Sequence, residues 1–187
     1  MFRKLNVDSQ GNFLRILLVL CLILFAAAVR ILPHPWNFTP IGAIALFSGA
    51  KLNSKWAAFL FPLFALFLGD LFVGLYKLML VVYLSFCLSV LIGRYFCRRQ
   101  SVLPLSVATL VGAIQFFLVT NFAVWFFGYT SYARSFSGLL TCYVAGIPLL
   151  GNTLAGDAFY AIILFGGFAL TQRLTPALRT SASPLLS

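Results

Sequence analysis

Charge is what this sequence has least of. Only 9% of its 187 residues are charged, and just three are acidic, Asp8, Asp70 and Asp157. A soluble domain has roughly 25% charged and about 45–50% apolar residues. Here 62% are hydrophobic and mean hydropathy is +1.03, which excludes a water-soluble fold and implies an integral membrane protein. Histidine occurs once, as His34. Cys21, Cys87, Cys97 and Cys142 form no CxxC pair, which argues against a zinc site or a disulfide framework and for small buried hydrophobes. There is no glycine-rich phosphate loop, no HExxH, no GxSxG and no nucleotide-binding motif. No enzyme and no cofactor is therefore expected, and energy for any uphill movement would come from an ion gradient or a partner. The scarcity of carboxylates inside the apolar runs argues against a self-sufficient proton pump.

What is there is a series of apolar runs with basic punctuation. The net charge of +10 is scattered between those runs and forms no single patch, so it belongs to the surface of a lipid bilayer and not to nucleic acid. At about 20 residues per crossing, the chain has room for roughly five to seven spans and for no separate soluble domain. The expected organisation is a cytoplasmic tail (1–12), one all-α transmembrane domain of six helices (13–171) and a second cytoplasmic tail (172–187).

The chain turns on Arg30 to Pro40, RILPHPWNFTP, whose three prolines cannot sit in one continuous helix. It is expected to be a loop between a first span over 13–32 and a short second span over 40–50. A tight polar turn follows at 51–55, then a third span over 56–68. A turn-like amphipathic segment is expected over 70–77, and a fourth span over 78–92. The fifth, 102–127, is longer than a bilayer requires and predicts a tilt or a break near Thr120-Asn121. After a polar loop at 128–137, the stretch 138–150 predicts a separate re-entrant or interfacial helix, and 152–170 the sixth span. Gly42, Ala43, Ala45 and Gly49 are small enough to permit close helix contact.

Six spans with both termini inside place ten of the thirteen Lys and Arg in the cytoplasm and leave Arg30, Lys77 and Arg134 outside. That topology gathers polar residues at the outer face. His34, Trp36, Asn37 and Thr39 lie in the first outer loop, Asp70, Tyr76 and Lys77 at the second, and Tyr129, Tyr132 and Arg134 in the third. Asn121 and Trp125 approach from the fifth span, and Asn152, Thr153, Asp157 and Tyr160 from the sixth. Each has two open readings. Asp70 and Asp157 either pair with Arg30, Lys77 or Arg134 or cap helices, or they face a solute. His34 is a turn residue or a ligand-binding one. The tryptophans are interfacial anchors or pocket walls.

Four stretches, RILPHPWNFTPIGAIALFSGA, GDLFVGLYKLMLVVYLSF, FFLVTNFAVWFFG and CYVAGIPLLGNTLAGDAFY, resemble successive signature blocks of an uncharacterised bacterial family of small transport-type membrane proteins. That family is similar to the S components, the substrate-capture subunits, of energy-coupling-factor vitamin transporters, including solitary cobalamin-type members. The resemblance implies a six-helix bundle in the bacterial cytoplasmic membrane that takes up a vitamin-like small molecule, alone or with a separate ATPase and membrane coupling module. It implies binding positions at His34, Asn37, Thr39, Asp70, Tyr83, Asn121, Trp125, Asn152 and Asp157, beside Trp36, Tyr76 and Lys77 from the outer cluster. The alternative is a structural or assembly protein whose outer polar residues pair only with one another.

Overall fold

The computed structural model describes residues 17, 21, 25, 28, 29, 35–52, 54–97 and 101–174. Over these the chain is all-α, with five helices: α1 (Ile41–Lys51), α2 (Lys55–Val73), α3 (Met79–Phe96), α4 (Val102–Phe127) and α5 (Phe136–Leu174). The last four are long and apolar enough to cross a membrane. The expected first span lies largely outside the described residues. Leu17, Cys21, Phe25, Ala28 and Val29 are helical, and Phe25 meets Tyr160 edge-on at 6.4 Å.

At the centre is the shortest helix. α1 begins after Pro40 and is buried from Ile41 to Gly49, as expected of a helix that is apolar all round. Its 11 residues span roughly 16 Å at 1.5 Å per residue. It packs against all four other helices. The approach to α3 is backbone to backbone: a Cβ on Gly49 would strike the Val90 carbonyl, and one on Gly93 would strike the Leu46 carbonyl. Close approach through small residues is how helices associate where lipid supplies no hydrophobic contrast. Ala43, Ala45, Ala58, Ala65, Ala108 and Ala113 are all buried, whereas Leu60, Phe64, Phe67 and Leu71 form an exposed stripe down α2. The chain is thus smallest inside and most apolar outside, as a bilayer requires.

Helix ends follow local chemistry. Ser54 caps α2 by accepting from the Ala57 N–H at 3.3 Å. α2 does not stop at 68 but continues through Asp70 to Val73, where Gly74, at φ 105°, ends it. The expected turn over 70–77 is therefore helical in its first half, because the Asp70 side chain is satisfied by tyrosines and does not compete for the backbone. α3 extends beyond the expected 92 to Phe96. α4 occupies 102–127 as expected, but without a break. Thr120 and Asn121 donate to the Phe116 and Phe117 carbonyls at 2.8 and 2.9 Å, so their polar groups are absorbed within the helix. Gly128, in the left-handed region at φ 69°, closes α4, with the Tyr129 N–H returning to the Val124 carbonyl at 3.1 Å.

The largest departure is α5. The expected re-entrant helix and sixth span form a single helix of 39 residues, continuous through Pro148. Proline removes one backbone bond and tends to kink a helix, but here the segment before it is clamped along α4. Tyr143 donates to the Leu118 carbonyl at 3.0 Å and packs on Phe117 at 5.6 Å, and the Cys142 thiol reaches the Asn121 carbonyl at 3.5 Å. Gly146 admits the Asn121 side chain, which a Cβ would meet at 2.6 Å.

Candidate functional site

The segment 35–40 is folded onto the middle of α5. The Phe38 N–H donates to the Pro35 carbonyl at 3.0 Å, closing a turn whose third residue, Asn37, has φ 63°. A left-handed third residue is what such a turn demands, and asparagine tolerates it better than most. Asn152 Nδ2 donates to the Trp36 carbonyl at 3.0 Å. Phe38 lies 6.0 and 5.8 Å from the rings of Phe159 and Tyr160. Gly156 leaves room for the chain to pass, since a Cβ there would stand 3.1 Å from Phe38 Cα.

Beneath this turn lies a cavity of about 500 Å³. Trp36, Asn37 and Thr39 line it from the turn, Val73 and Tyr76 from the end of α2 and the following loop, and Thr153 and Asp157 from α5. Val82, Phe86 and Ser89 line it from one face of α3, and Gly112 and Phe116 from α4. From Val82 to Ser89 the wall runs roughly 10 Å along α3. Phe86 and Phe116 meet at 5.0 Å with their planes 32° apart, forming an aromatic side wall. Trp36, 80% exposed, stands at the mouth.

Two carboxylates serve this cavity differently. Asp157 is buried and lies against the start of α1, where it accepts from the Ala43 N–H. Pro40 caps α1 with no side-chain bond of its own, so a residue of α5 supplies the missing acceptor at the positive end of a helix. Gly42 makes this approach sterically allowed: a Cβ there would lie 2.6 Å from Asp157 Oδ2. Among the described residues no cation pairs with Asp157. Asp70 is fully buried outside the lining and accepts from the Tyr83 hydroxyl at 3.0 Å and from the Tyr76 hydroxyl at 3.5 Å. Its contribution is to orient Tyr76, which does line the cavity.

The floor is polar. Ser89 donates to the Ser85 carbonyl at 3.3 Å and accepts from Gln115 Nε2 at 3.1 Å, while the same amide nitrogen reaches the Ser85 carbonyl at 3.0 Å. Behind it, Ser85 Oγ and Gln115 Oε1 are buried with no hydrogen-bond partner. Such groups in apolar spans are costly and mark sites where a helix bundle does more than pack.

Of the residues expected at a site, Trp36, Asn37, Thr39, Tyr76 and Asp157 come together around the cavity. Asp70 and Tyr83 stand behind its wall, and Asn152 holds its roof. Three are placed elsewhere. Lys77 lies over the Tyr129 ring at 5.6 Å, Trp125 Nε1 donates to the Ala133 carbonyl at 2.9 Å, and Asn121 is enclosed between α4 and α5. His34 lies outside the described residues, as does Arg30. The sequence reading missed the deep lining: Val82, Phe86 and Ser89 on α3, Gly112 and Phe116 on α4. Its available signal was the run Ser85, Ser89 and Gln115, polar residues inside apolar helices.

Residues 10–178 match the family described as Family of unknown function (DUF6580). The chain belongs to this family. No curated protein and no solved structure matches it. The matched range includes every described residue of the cavity.

Proposed function

We propose that this DUF6580 protein is a substrate-capture membrane subunit, or a small solitary transporter, for uptake of a vitamin-like small molecule, and that the cavity beneath the Pro35–Pro40 turn is its binding site. The observation that carries this reading is the cavity itself. It is of drug-sized volume, with an aromatic wall and a few convergent polar groups, the form that small-molecule sites take. It lies at the end of the bundle to which the basic-residue bias assigns the exterior, which suits capture from outside. The six-span, both-termini-inside topology, location in a bacterial cytoplasmic membrane and the likeness to energy-coupling-factor S components belong to the same proposal. Intact cobalamin is larger than the drug-sized ligands that cavities of this volume take, which favours a smaller ligand. Release to the inside would follow reorientation of the bundle, driven by a separate coupling module or an ion gradient.

A second reading, an assembly protein with no ligand, draws on the engaged state of several outer polar groups. Asn152, Trp125, Tyr83 and Asp157 each have a partner within the protein. A binding titration of the purified protein decides between them. Tryptophan emission and thermal stability are followed against thiamine, riboflavin, biotin, cobinamide and cobalamin. Saturable quenching of Trp36 with a rise in melting temperature for one compound supports capture. A folded protein that responds to none of them supports assembly.

A further inference from the structure

The donors and acceptors around the cavity are unevenly distributed. The Ser89 hydroxyl gives its proton to the Ser85 carbonyl, and Thr153 gives its own to the Leu149 carbonyl at 2.8 Å. A hydroxyl whose proton is committed within the protein offers a ligand only lone pairs. Asp157 adds a carboxylate with about four lone-pair sites, of which the Ala43 N–H accounts for one. Behind the floor the unpartnered Gln115 Oε1 adds acceptor capacity.

Among the described residues no positive charge offsets it: no Lys, Arg or His is among the described lining residues. The described cations near the bundle ends are occupied elsewhere: Lys77 over Tyr129, Lys51 over Phe165 and Phe168 at 5.6 and 5.5 Å, and Arg134 against Gly128. An anion entering this cavity would meet the buried Asp157 carboxyl group with no described cation beside it. A cation or an N–H donor would find lone pairs without a rival. Among the described lining residues the side-chain amide and indole N–H donors, on Asn37 and Trp36, are at the mouth.

From this polarity we infer that the ligand is a small aromatic or heteroaromatic compound carrying an amine, amidine or comparable N–H-bearing nitrogen, and that it enters nitrogen first. Its charged or donating end reaches Asp157, Thr153 and Ser89, and its ring lies along Phe86 and Phe116. This rests on the capture reading and specifies the ligand class for the same cavity.

The test uses three compounds of one shape and different charge, benzamidine, benzamide and benzoate, titrated by calorimetry into the full-length protein in lipid nanodiscs. Wild type is expected to bind benzamidine more tightly than benzamide and to give no saturable heat with benzoate. Asp157→Asn keeps an oxygen for the Ala43 N–H and removes the charge. It is expected to weaken benzamidine by at least about tenfold, the scale of one charge-assisted hydrogen bond, while changing benzamide little. Benzoate binding as tightly as benzamidine overturns the inference, as does unchanged benzamidine affinity in a folded Asp157→Asn protein. The wild-type series stands even if that variant does not fold. If an anionic vitamin saturates the protein and benzoate outcompetes benzamidine, capture survives and the ligand class falls. If neither the series nor the vitamin panel saturates a folded protein, both fall.

Discussion

Replacing Gly49 with alanine puts one methyl group into the contact between α1 and α3. Built on the existing backbone, it overlaps the Val90 carbonyl oxygen and lies 2.9 Å from the Val90 carbonyl carbon and 3.0 Å from the Arg94 nitrogen. Favourable carbon contacts lie at about 3.5–4.0 Å, so the helices must part by roughly 1 Å. All three neighbours are backbone atoms of a regular helix, and no side chain can swing aside. The displacement is not local, because α1 is buried on all sides and any shift away from α3 drives it into α2 or α5. Overpacking a well-filled core costs about 1–3 kcal/mol, and an obstacle made of backbone belongs at the upper end. For a chain of this size, about 3 kcal/mol lowers the melting temperature by roughly 6–12 °C. The assay is thermal unfolding in one detergent, followed by circular dichroism, beside Gly166→Ala and Gly167→Ala. Those glycines have no atom within 4 Å of an added Cβ, so alanine there is expected to stabilise α5 by about 0.5–1 kcal/mol. Gly49→Ala unfolding together with wild type, or no earlier than Gly166→Ala, would refute the argument that backbone contact fixes the α1–α3 crossing.

Tyr83→Phe removes the 3.0 Å bond to buried Asp70 and is expected to cost about 1.5–3 kcal/mol, more than Tyr76→Phe, whose bond is 3.5 Å. Equal melting temperatures for the two variants would count against it. Asn152→Ala frees the Trp36 carbonyl and should cost about 1 kcal/mol while raising hydrogen exchange across 35–39; unchanged exchange would show that the turn holds without it. Asn37→Val places a branched residue at φ 63° and is expected to destabilise by about 1–2 kcal/mol, with Asn37→Gly near neutral. In a ligand titration Asp157→Ala should weaken binding and Asn121→Ala should leave it intact, because only the first residue lines the cavity; equal losses would move the site toward the α4–α5 interface.

The sequence made the helices legible because the apolar runs are long and their breaks are chemical. Ser54, Gly74 and Gly128 end or begin helices as their residue types predict. The mouth of the cavity was legible through Trp36, Asn37 and Thr39, since three prolines forced a loop between apolar runs. Its depth was not. Phe86 and Phe116 look like any other lipid-facing phenylalanine until α3 and α4 are set side by side. Asp157 reads in the sequence as pairing with a cation, capping a helix or facing a solute; it accepts from a backbone N–H at the start of α1, and no side-chain pattern encodes which helix end will lie beside it. The boundary expected between 150 and 152 is absent, and the contacts that hold α5 to α4 before Pro148 come from Leu118 and Asn121, more than twenty residues earlier.

α1 has a consequence for how the protein enters its membrane. At roughly 16 Å it reaches about half of a 30 Å hydrocarbon layer, so by itself it is not a segment the insertion machinery can leave spanning the bilayer. Its depth is set by Val90, Arg94 and Leu46 at the crossing with α3 and by Asp157 at its upper end, all but one of them made later in the chain than α1 itself. The oldest part of the core is therefore the last to acquire its position. Until α5 emerges from the ribosome with Asp157, the Ala43 amide hydrogen lacks the acceptor it has in the folded protein.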